Sequence, residues 1–309
     1  MRIMVLGANG MAGHTISLYF LEKGYEVTTV TRKPFKIGKN ILLSVENIKD
    51  LTDHIKSENY DAIINCIGIL NTNAENNPSN AVLINSYLPH LISDIVKNTE
   101  TKMIQMSTDC VFSGETGGYN ENSLPDGSTF YDRTKALGEV VNEKDLTFRN
   151  SIIGPDMNKD GIGLFNWFMR QDGSSIKGFD KAMWNGVTTL TLAKAMEKSI
   201  QENLIGLYHL ASEPISKYEL LKIFNVVFKN EKHKIVPYSD FVINKTLVNT
   251  RSDFCFSIPS HQTMVEEMYN WIQLHKEYYK HYFTKGVLDI EKIKSNDDCG
   301  NTSRNYSVK

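Results

Sequence analysis

Cysteine is scarce in this chain. There are four among 309 residues, Cys66, Cys110, Cys255 and Cys299, and no two form a C-x-x-C pair. That spacing argues against a disulfide framework or a structural zinc site and fits a reducing compartment such as the cytoplasm. No stretch approaches 18 uninterrupted apolar residues, so no membrane-spanning helix is expected. Charge of one sign is also missing: the formal net charge is −2, which gives no general case for nucleic acid or an anionic membrane. The opening "MRIMVLGANG" lacks the long apolar core of a signal peptide and reads as a strand and turn. No internal repeat, no H-x-x-x-H pair and no other metal constellation is found.

What is present is a substantial apolar fraction, 41%, arranged in alternation. Short β-rich runs ("RIMVLG", "YEVTTV", "KNILLS", "YDAIINCIG", "TKMIQMS", "LTFRNS") alternate with helical ones ("AGHTISLYFLEKG", "LTDHIKSEN", "NSYLPHLISDIVKNT", "RTKALGEVVNE"). This pattern predicts an α/β chain with a doubly wound parallel sheet of Rossmann type, covered on both faces. Residues 1–160, with a return segment near 187–212, are expected to form that domain. Residues 161–186 and 213–290 are expected to form a smaller lobe, and 295–309 a polar tail. Pro89 must fit in the first turn of its helix. Leu137, Val140 and Val141 are expected to pack the "YDRTK" helix on the sheet.

The turn "VLGANGMAGHT" spaces Gly7, Gly10 and Gly13 by three between a strand and a helix. Gly7 suits the tight turn, Gly10 the close approach of a pyrophosphate, and Gly13 close packing of helix on sheet. The helix N-terminus offers free N–H groups to phosphate, with Asn9 and Met11 in the same turn. At the end of the second strand, where a dinucleotide site selective for NAD carries an acid, stand Arg32 and Lys33. A guanidinium suits a 2′-phosphate, so NADP(H) is expected in preference to NAD(H).

Tyr131 and Lys135 in "YDRTK" are four apart and share one helix face. A lysine ammonium near a phenol lowers its pKa, which fits the phenol for proton transfer. Upstream, "QMSTDC" places Ser107, Thr108 and Asp109 at a strand end. In a parallel sheet that end meets the cofactor cleft, where a hydroxyl can hold a substrate carbonyl. These parts describe hydride transfer coupled to proton transfer, with Tyr131 as the acid.

With these residues in view, the chain resembles the extended short-chain dehydrogenase/reductases, in particular the dTDP-4-dehydrorhamnose reductase branch. "GANGMAG", "DAIINCIG", "NAEN", "STDCVFSG", "YDRTK" and "FRNSIIGP" carry the resemblance over about the first 160 residues, and weaker matches extend it to near 225. The resemblance implies a catalytic trio of Thr108, Tyr131 and Lys135. It also implies a cofactor wall at Asn65, Cys66 and Ile67, with Asn85 in a further matching pair. The implied reaction is reduction of a 4-keto deoxysugar carried on a nucleoside diphosphate, for surface polysaccharide precursors. An epimerase of the same fold, or a non-catalytic NADP-binding regulatory subunit, are the alternatives. The implied protein is a monomer or homodimer. Two positions depart from the family: Cys110 stands where a tyrosine is usual, and Val187 where a proline is usual. Substrate contacts are expected from Ser107, Asp109, Trp184, Lys245 and Arg251, with Arg170, Lys177 and Lys181 as further candidates for a phosphate and Phe179 for a base or sugar. His14, just behind the glycine turn, is expected to face solvent or helix. His209 reads as a satisfied core or edge residue.

Overall fold

The computed structural model describes residues 1–283; the expected polar tail lies outside them. The first half runs β1 (Arg2–Leu6), α1 (Met11–Glu22), β2 (Glu26–Thr31), β3 (Lys39–Leu42), α2 (Ile48–Ser57), β4 (Ala62–Asn65), α3 (Asn71–Asn76), α4 (Pro78–Ala81), α5 (Leu88–Val96), β5 (Lys102–Met106), α6 (Phe130–Leu137) and β6 (Leu146–Arg149). The second half runs β7 (Ile152–Ile153), α7 (Leu164–Met169), β8 (Ser175–Phe179), β9 (Ala182–Trp184), β10 (Val187–Thr188), α8 (Thr189–Gln201), β11 (Gly206–His209), β12 (Ile215–Ser216), α9 (Lys217–Lys229), β13 (Lys234–Tyr238), β14 (Ile243–Asn244), α10 (His261–Leu274) and α11 (Lys280–Phe283).

Seven strands form one sheet in the order β11-β6-β5-β4-β1-β2-β3, and every pairing in it is parallel. The expected doubly wound sheet is therefore present. Its inner strands are buried on both faces, as parallel sheets require, while the edge strand β3 is open to solvent. In β1 the alternation is visible: Ile3 and Val5 join the cluster that includes Ile16 and Phe20 of α1, whereas Met4 and Leu6 join Leu51, Ile92 and Val96 on the other side. The chain leaves β1 for β2 on one side and returns to β4 on the other. That reversal opens a crevice at the carboxyl ends of β1 and β4, where ligands of such sheets bind.

Two local expectations change. The expected helix at "NSYLPHL" begins earlier, at Pro78 behind an Asn77 cap, and passes through a π-helical turn, Val82–Tyr87, before α5. Pro89 has no N–H to give the carbonyl of Asn85, and the wider turn accommodates its ring. The "YDRTK" helix is shorter than its apolar pattern predicts. It starts behind a capping box, Thr129 with Asp132, and stops at Gly138. A β-carbon on Gly138 would lie 1.8 Å from the Asn85 carbonyl oxygen, so the chain has to turn there. Leu137 and Val141 are consequently exposed, and Val140 is buried only after the helix has ended.

Beyond the sheet, β8 pairs with β13, β9 lies between β12 and β14, and β7 pairs with β10. Phe165 and Phe168 of α7 pack against Phe224 of α9, and α10 lies on α9.

Candidate active site

The glycine turn has the shape its spacing predicts. Gly7 has φ +73°, which a side chain strains to adopt. A β-carbon on Gly13 would sit 2.3 Å from the Gly7 carbonyl oxygen, so only glycine lets α1 approach the turn. Gly10 caps α1 without any side-chain hydrogen bond, and the first turn carries no acid. The free N–H groups and the helix dipole are left to an anion. Gly7, Asn9 and Gly10 form one wall of a cleft of about 230 Å³, and Cys66 and Ile67 form the facing wall. Met11 turns elsewhere: its sulfur lies 3.5 Å from where a β-carbon on Gly163 would be, in the loop before α7.

The sequence placed Arg32 and Lys33 together, and the structure separates them. Arg32 lines the cleft and Lys33 does not; the Lys33 backbone carbonyl accepts from Thr31 while its side chain is in solvent. The cleft also contains Ser44 and Glu46, which sequence reading missed. A glutamate in a loop after a short strand carries no distinguishing signal. Asn65 and Asn85 serve the walls through protein contacts. Asn65 joins Gln105 at 2.8 Å and accepts from the Ile67 N–H. Asn85 bonds both backbone groups of Ile69 and reaches Thr134 at 3.1 Å.

None of the three residues of the expected trio lines this cleft; Lys135 reaches its wall by acting on Cys66. Tyr131 and Lys135 are buried in the first and second turns of α6. Thr108 lies two residues beyond β5, with its hydroxyl accepting from the Cys110 N–H and donating to Asp109, and it also bonds Tyr131. Lys135 Nζ donates to the Met106 carbonyl at 2.6 Å. Its charge acts on Cys66, which joins the lysine to the cofactor wall. Burial drives the Lys135 pKa down to about 8, opposed by Glu139 and then Cys66. The Tyr131 phenol is raised, by burial first and by the Cys110 thiol second, with the Thr108 hydrogen bond opposing. This reverses the expected lowering: the ammonium is engaged with a backbone carbonyl, and the ring lies among Ala74, Ala81 and Cys110. A raised phenol is a held proton, which suits a donor.

Asp109 lies beside the trio. Burial raises its pKa, opposed by Thr108, Lys245, Ser151 and Lys217. Lys245 thus acts at the site, and Lys217 joins it unforeseen. Ser107 is turned back into the protein, donating to Glu139 at 2.6 Å; Glu139 is held by both ends of a buried Arg149 guanidinium. Trp184 is buried, with its indole N–H on Ser151, the residue whose hydroxyl reaches Asp109. Arg251 does not join them. Its donors are spent on the carbonyls of Ile205 and Leu207 and on Asp253.

A second cleft, of about 540 Å³, lies between α7, β8 and the start of α9. Trp167, Phe179 and Tyr238 line it with Lys177 and Lys217. The Lys177 ammonium stands 4.6 Å from the Tyr238 ring centroid. Lys217 belongs to both places: it lines this cleft and its charge reaches Asp109.

Residues 1–246 match the family described as the RmlD substrate binding domain. The chain belongs to this family. The resemblance read from the motifs is thereby borne out at the level of family and fold. A probable low-salt glycan biosynthesis reductase of Haloferax volcanii is 25% identical over 228 residues, covering 69% of this chain and 75% of that protein. Methionine adenosyltransferase 2 subunit beta of Xenopus tropicalis is 22% identical, covering 79% and 77%. Among solved structures, a dTDP-4-dehydrorhamnose reductase of Bacillus anthracis in complex with NADP superposes with a TM-score of 0.75 at 22% identity, covering 87% of this chain and 99% of that one.

Within the family, the two departures have local explanations. Cys110 packs against the Tyr131 cluster, and its thiol donates to Asp109 at 3.6 Å. Burial and the Asp109 charge push the thiol up to about 12, so it stays protonated and inert. Val187 is fully buried and pairs with Ile152 in β10. His209 is buried, with Nδ1 on the Val248 carbonyl, as a satisfied edge residue should be.

Proposed function

We propose that the protein reduces the keto group of a 4-keto deoxysugar carried on a nucleoside diphosphate, with NADPH as the reductant. The observation that carries this reading is the hydrogen bond of Tyr131 to Thr108, with Lys135 one turn on in the same helix acting on Cys66, a wall of the cleft that begins at an uncapped, glycine-shaped helix N-terminus. The cradle fits a dinucleotide, since a β-carbon on Gly7 would strike the Ile67 wall and Gly13 lets the bare end of α1 approach the turn. A reduced nicotinamide, when bound, supplies hydride to the carbonyl carbon. The protein supplies the rest: Thr108 holds the carbonyl oxygen, Tyr131 gives it a proton, and Lys135 sets its positive charge at the cofactor wall beside Cys66.

Arg32 at the rim favours a 2′-phosphate, and NADPH over NADH follows from it. The second cleft supplies what a nucleoside diphosphate needs. Trp167, Phe179 and Tyr238 offer faces to a base or sugar, and Lys177 and Lys217 offer charge to phosphates. Lys217 then places the diphosphate between that cleft and Asp109. Residues 161–186 and the chain from 213 onward form the sugar-nucleotide lobe in this reading. The protein works in the cytoplasm as a soluble enzyme of surface polysaccharide precursor synthesis; among the described residues no helix is long and apolar enough to cross a membrane.

The test is to mix the purified protein with NADPH and a panel of dTDP-, UDP- and GDP-linked 4-keto-6-deoxy sugars and to follow absorbance of the reduced nicotinamide. Consumption with one of them is the expected result and names the base. Binding of NADPH without consumption by any sugar overturns the reductase reading. It favours a second one, a cofactor-binding regulatory subunit, to which the likeness to an adenosyltransferase beta subunit gives weight.

A further inference from the structure

His14 was expected at a solvent-facing or helix-facing position, yet it is fully buried one turn into α1. Its partners come from the far end of the described chain. Its Nε2 lies 2.8 Å from the Tyr279 hydroxyl, and that hydroxyl accepts from the Trp271 indole N–H at 3.1 Å. Its Nδ1 lies 2.8 Å from the carbonyl oxygen of Gly10, the N-cap of α1. Tyr279 is itself fully buried and Trp271 nearly so.

The Thr15 hydroxyl also reaches this group, at 3.5 Å from His14 Nε2 and in a hydrogen bond with Tyr279, but the two ends fix the direction of the chain. An indole nitrogen can only donate, so the Tyr279 oxygen accepts from Trp271 and has its own hydrogen to pass on. A carbonyl can only accept, so the His14 proton must sit on Nδ1, facing Gly10. That leaves Nε2 bare to accept from Tyr279. Both ends therefore demand one tautomer. Burial drives the His14 pKa down to about 4, so the ring stays neutral near pH 7 and the direction holds.

The receiving end of the relay is the cofactor cradle. The Gly10 carbonyl accepts both from His14 Nδ1 and from the His14 backbone N–H at 3.0 Å. A peptide group is planar, with its C=O and N–H pointing opposite ways. Holding the Gly10 carbonyl into the helix therefore holds the Met11 N–H outward, toward the anion end of the cleft. No side chain caps α1, so the usual device for fixing that first turn is missing. The same terminal segment secures the opposite flank. Tyr282 accepts from the Asp156 N–H at 3.0 Å and donates to Asn166 at 2.8 Å. Asn166 in turn holds the Gly161 carbonyl, close to the Gly163 that meets Met11.

We propose that the Trp271–Tyr279–His14 relay is a positioning device for dinucleotide binding, through which the C-terminal segment sets the Gly10–Met11 peptide that receives the cofactor phosphates. This rests on the dinucleotide reading of the cleft. The relay acts on binding and leaves the proton and hydride steps alone, because it touches only the phosphate end.

The experiment is equilibrium titration of the full chain with NADPH and NADH, with thermal melts in parallel, for the wild type, Tyr279→Phe and Tyr19→Phe. Tyr279→Phe removes one hydroxyl and keeps the ring in its buried place. Tyr19→Phe is the control: it removes a hydroxyl from the same helix, where it bonds Glu197 at 2.5 Å, away from the cradle. Loss of one hydrogen bond from the relay should weaken NADPH binding about tenfold in Tyr279→Phe. KM for NADPH should rise with it, and kcat at saturating cofactor should not change. Tyr19→Phe should lower the melting temperature and leave NADPH binding as it was. Unchanged binding in Tyr279→Phe, or equal losses in both variants, would overturn the proposal, since general loosening of α1 would then explain everything. A wild type that binds neither nucleotide would bring down the dinucleotide reading, and the relay's role with it, before any variant is compared.

Discussion

The cleft at the end of β1 is shaped by backbone, and the cleft between α7 and β8 is shaped by side chains. In the first, the decisive surfaces are the Gly7 turn, the bare first turn of α1 and the peptide groups around Ile67. In the second they are Trp167, Phe179, Tyr238, Lys177 and Lys217. A backbone site is intolerant at a few positions and indifferent elsewhere, because its geometry comes from what cannot carry a β-carbon. A side-chain site can be retuned one residue at a time. That difference fits a shared cofactor on one side and a variable nucleotide sugar on the other. Lys135 acts on Cys66 of the first cleft, and Lys217 of the second acts on Asp109, the neighbour of Thr108.

The largest effect is expected in the trio itself. Tyr131→Phe removes the proton donor and should lower kcat by roughly 10²–10⁴-fold. NADPH titration should show nearly wild-type affinity, since neither cleft loses a wall. If turnover stays within a few-fold of wild type, Tyr131 is not the acid.

Next comes a test of backbone intolerance. Gly13→Ala puts a β-carbon 2.3 Å from the Gly7 carbonyl oxygen. Backbone must shift to relieve it, at a cost of about 3 kcal/mol, with dinucleotide binding lost as α1 moves off the turn. Denaturant unfolding and NADPH titration read both. A variant that melts and binds like wild type would show that the first cleft is less rigid than its glycines imply.

The two clefts can then be set against each other with single charges. Arg32→Asp should weaken NADPH binding about tenfold and NADH binding much less, since only NADPH offers the phosphate. Lys217→Gln should raise KM for the nucleotide sugar by a similar factor and leave both nicotinamide nucleotides alone. Equal losses of NADPH and NADH in Arg32→Asp would remove the basis for the NADPH preference. A change in nucleotide affinity on losing Lys217 would break the division of labour between the clefts.

Where sequence reading worked, the cause was local. The glycine spacing, the strand before it and the helix after it are set within a dozen residues, and the structure keeps all three. The beginning of α6 is as local, written in Thr129 and Asp132. Its end is not: Gly138 stops the helix because the Asn85 carbonyl from a distant turn lies against it. Glu46 and Lys217 were missed because a loop glutamate and a lysine at a helix start are ordinary until the fold brings them to a cleft. Arg251 was over-read for the converse reason. An arginine in a polar loop looks the same whether it faces a phosphate or, as here, two strand carbonyls. His14 escaped because its partners, Tyr279 and Trp271, come from the opposite end of the described chain.

The smallest expected effect is a titration beside the Cys66 wall of the first cleft. Lys135 has its pKa brought down to about 8 by burial, with Glu139 opposing. Its ammonium should therefore be lost as pH rises through that value, and with it the positive charge it sets at the cofactor wall beside Cys66. Turnover should fall about fourfold between pH 7 and 8.5, with a basic limb centred near 8. Stability should respond in the other direction. The folded-state value lies below that of a free lysine, so between the two the unfolded chain binds more protons than the folded one. Folding stability contributed by this group therefore rises with pH across that window. Activity that declines while the Lys135 contribution to stability grows is the signature of a titrating lysine. A decline matched by a fall in melting temperature, with no difference between wild type and Lys135→Met in the slope of stability against pH, would assign the limb to unfolding instead.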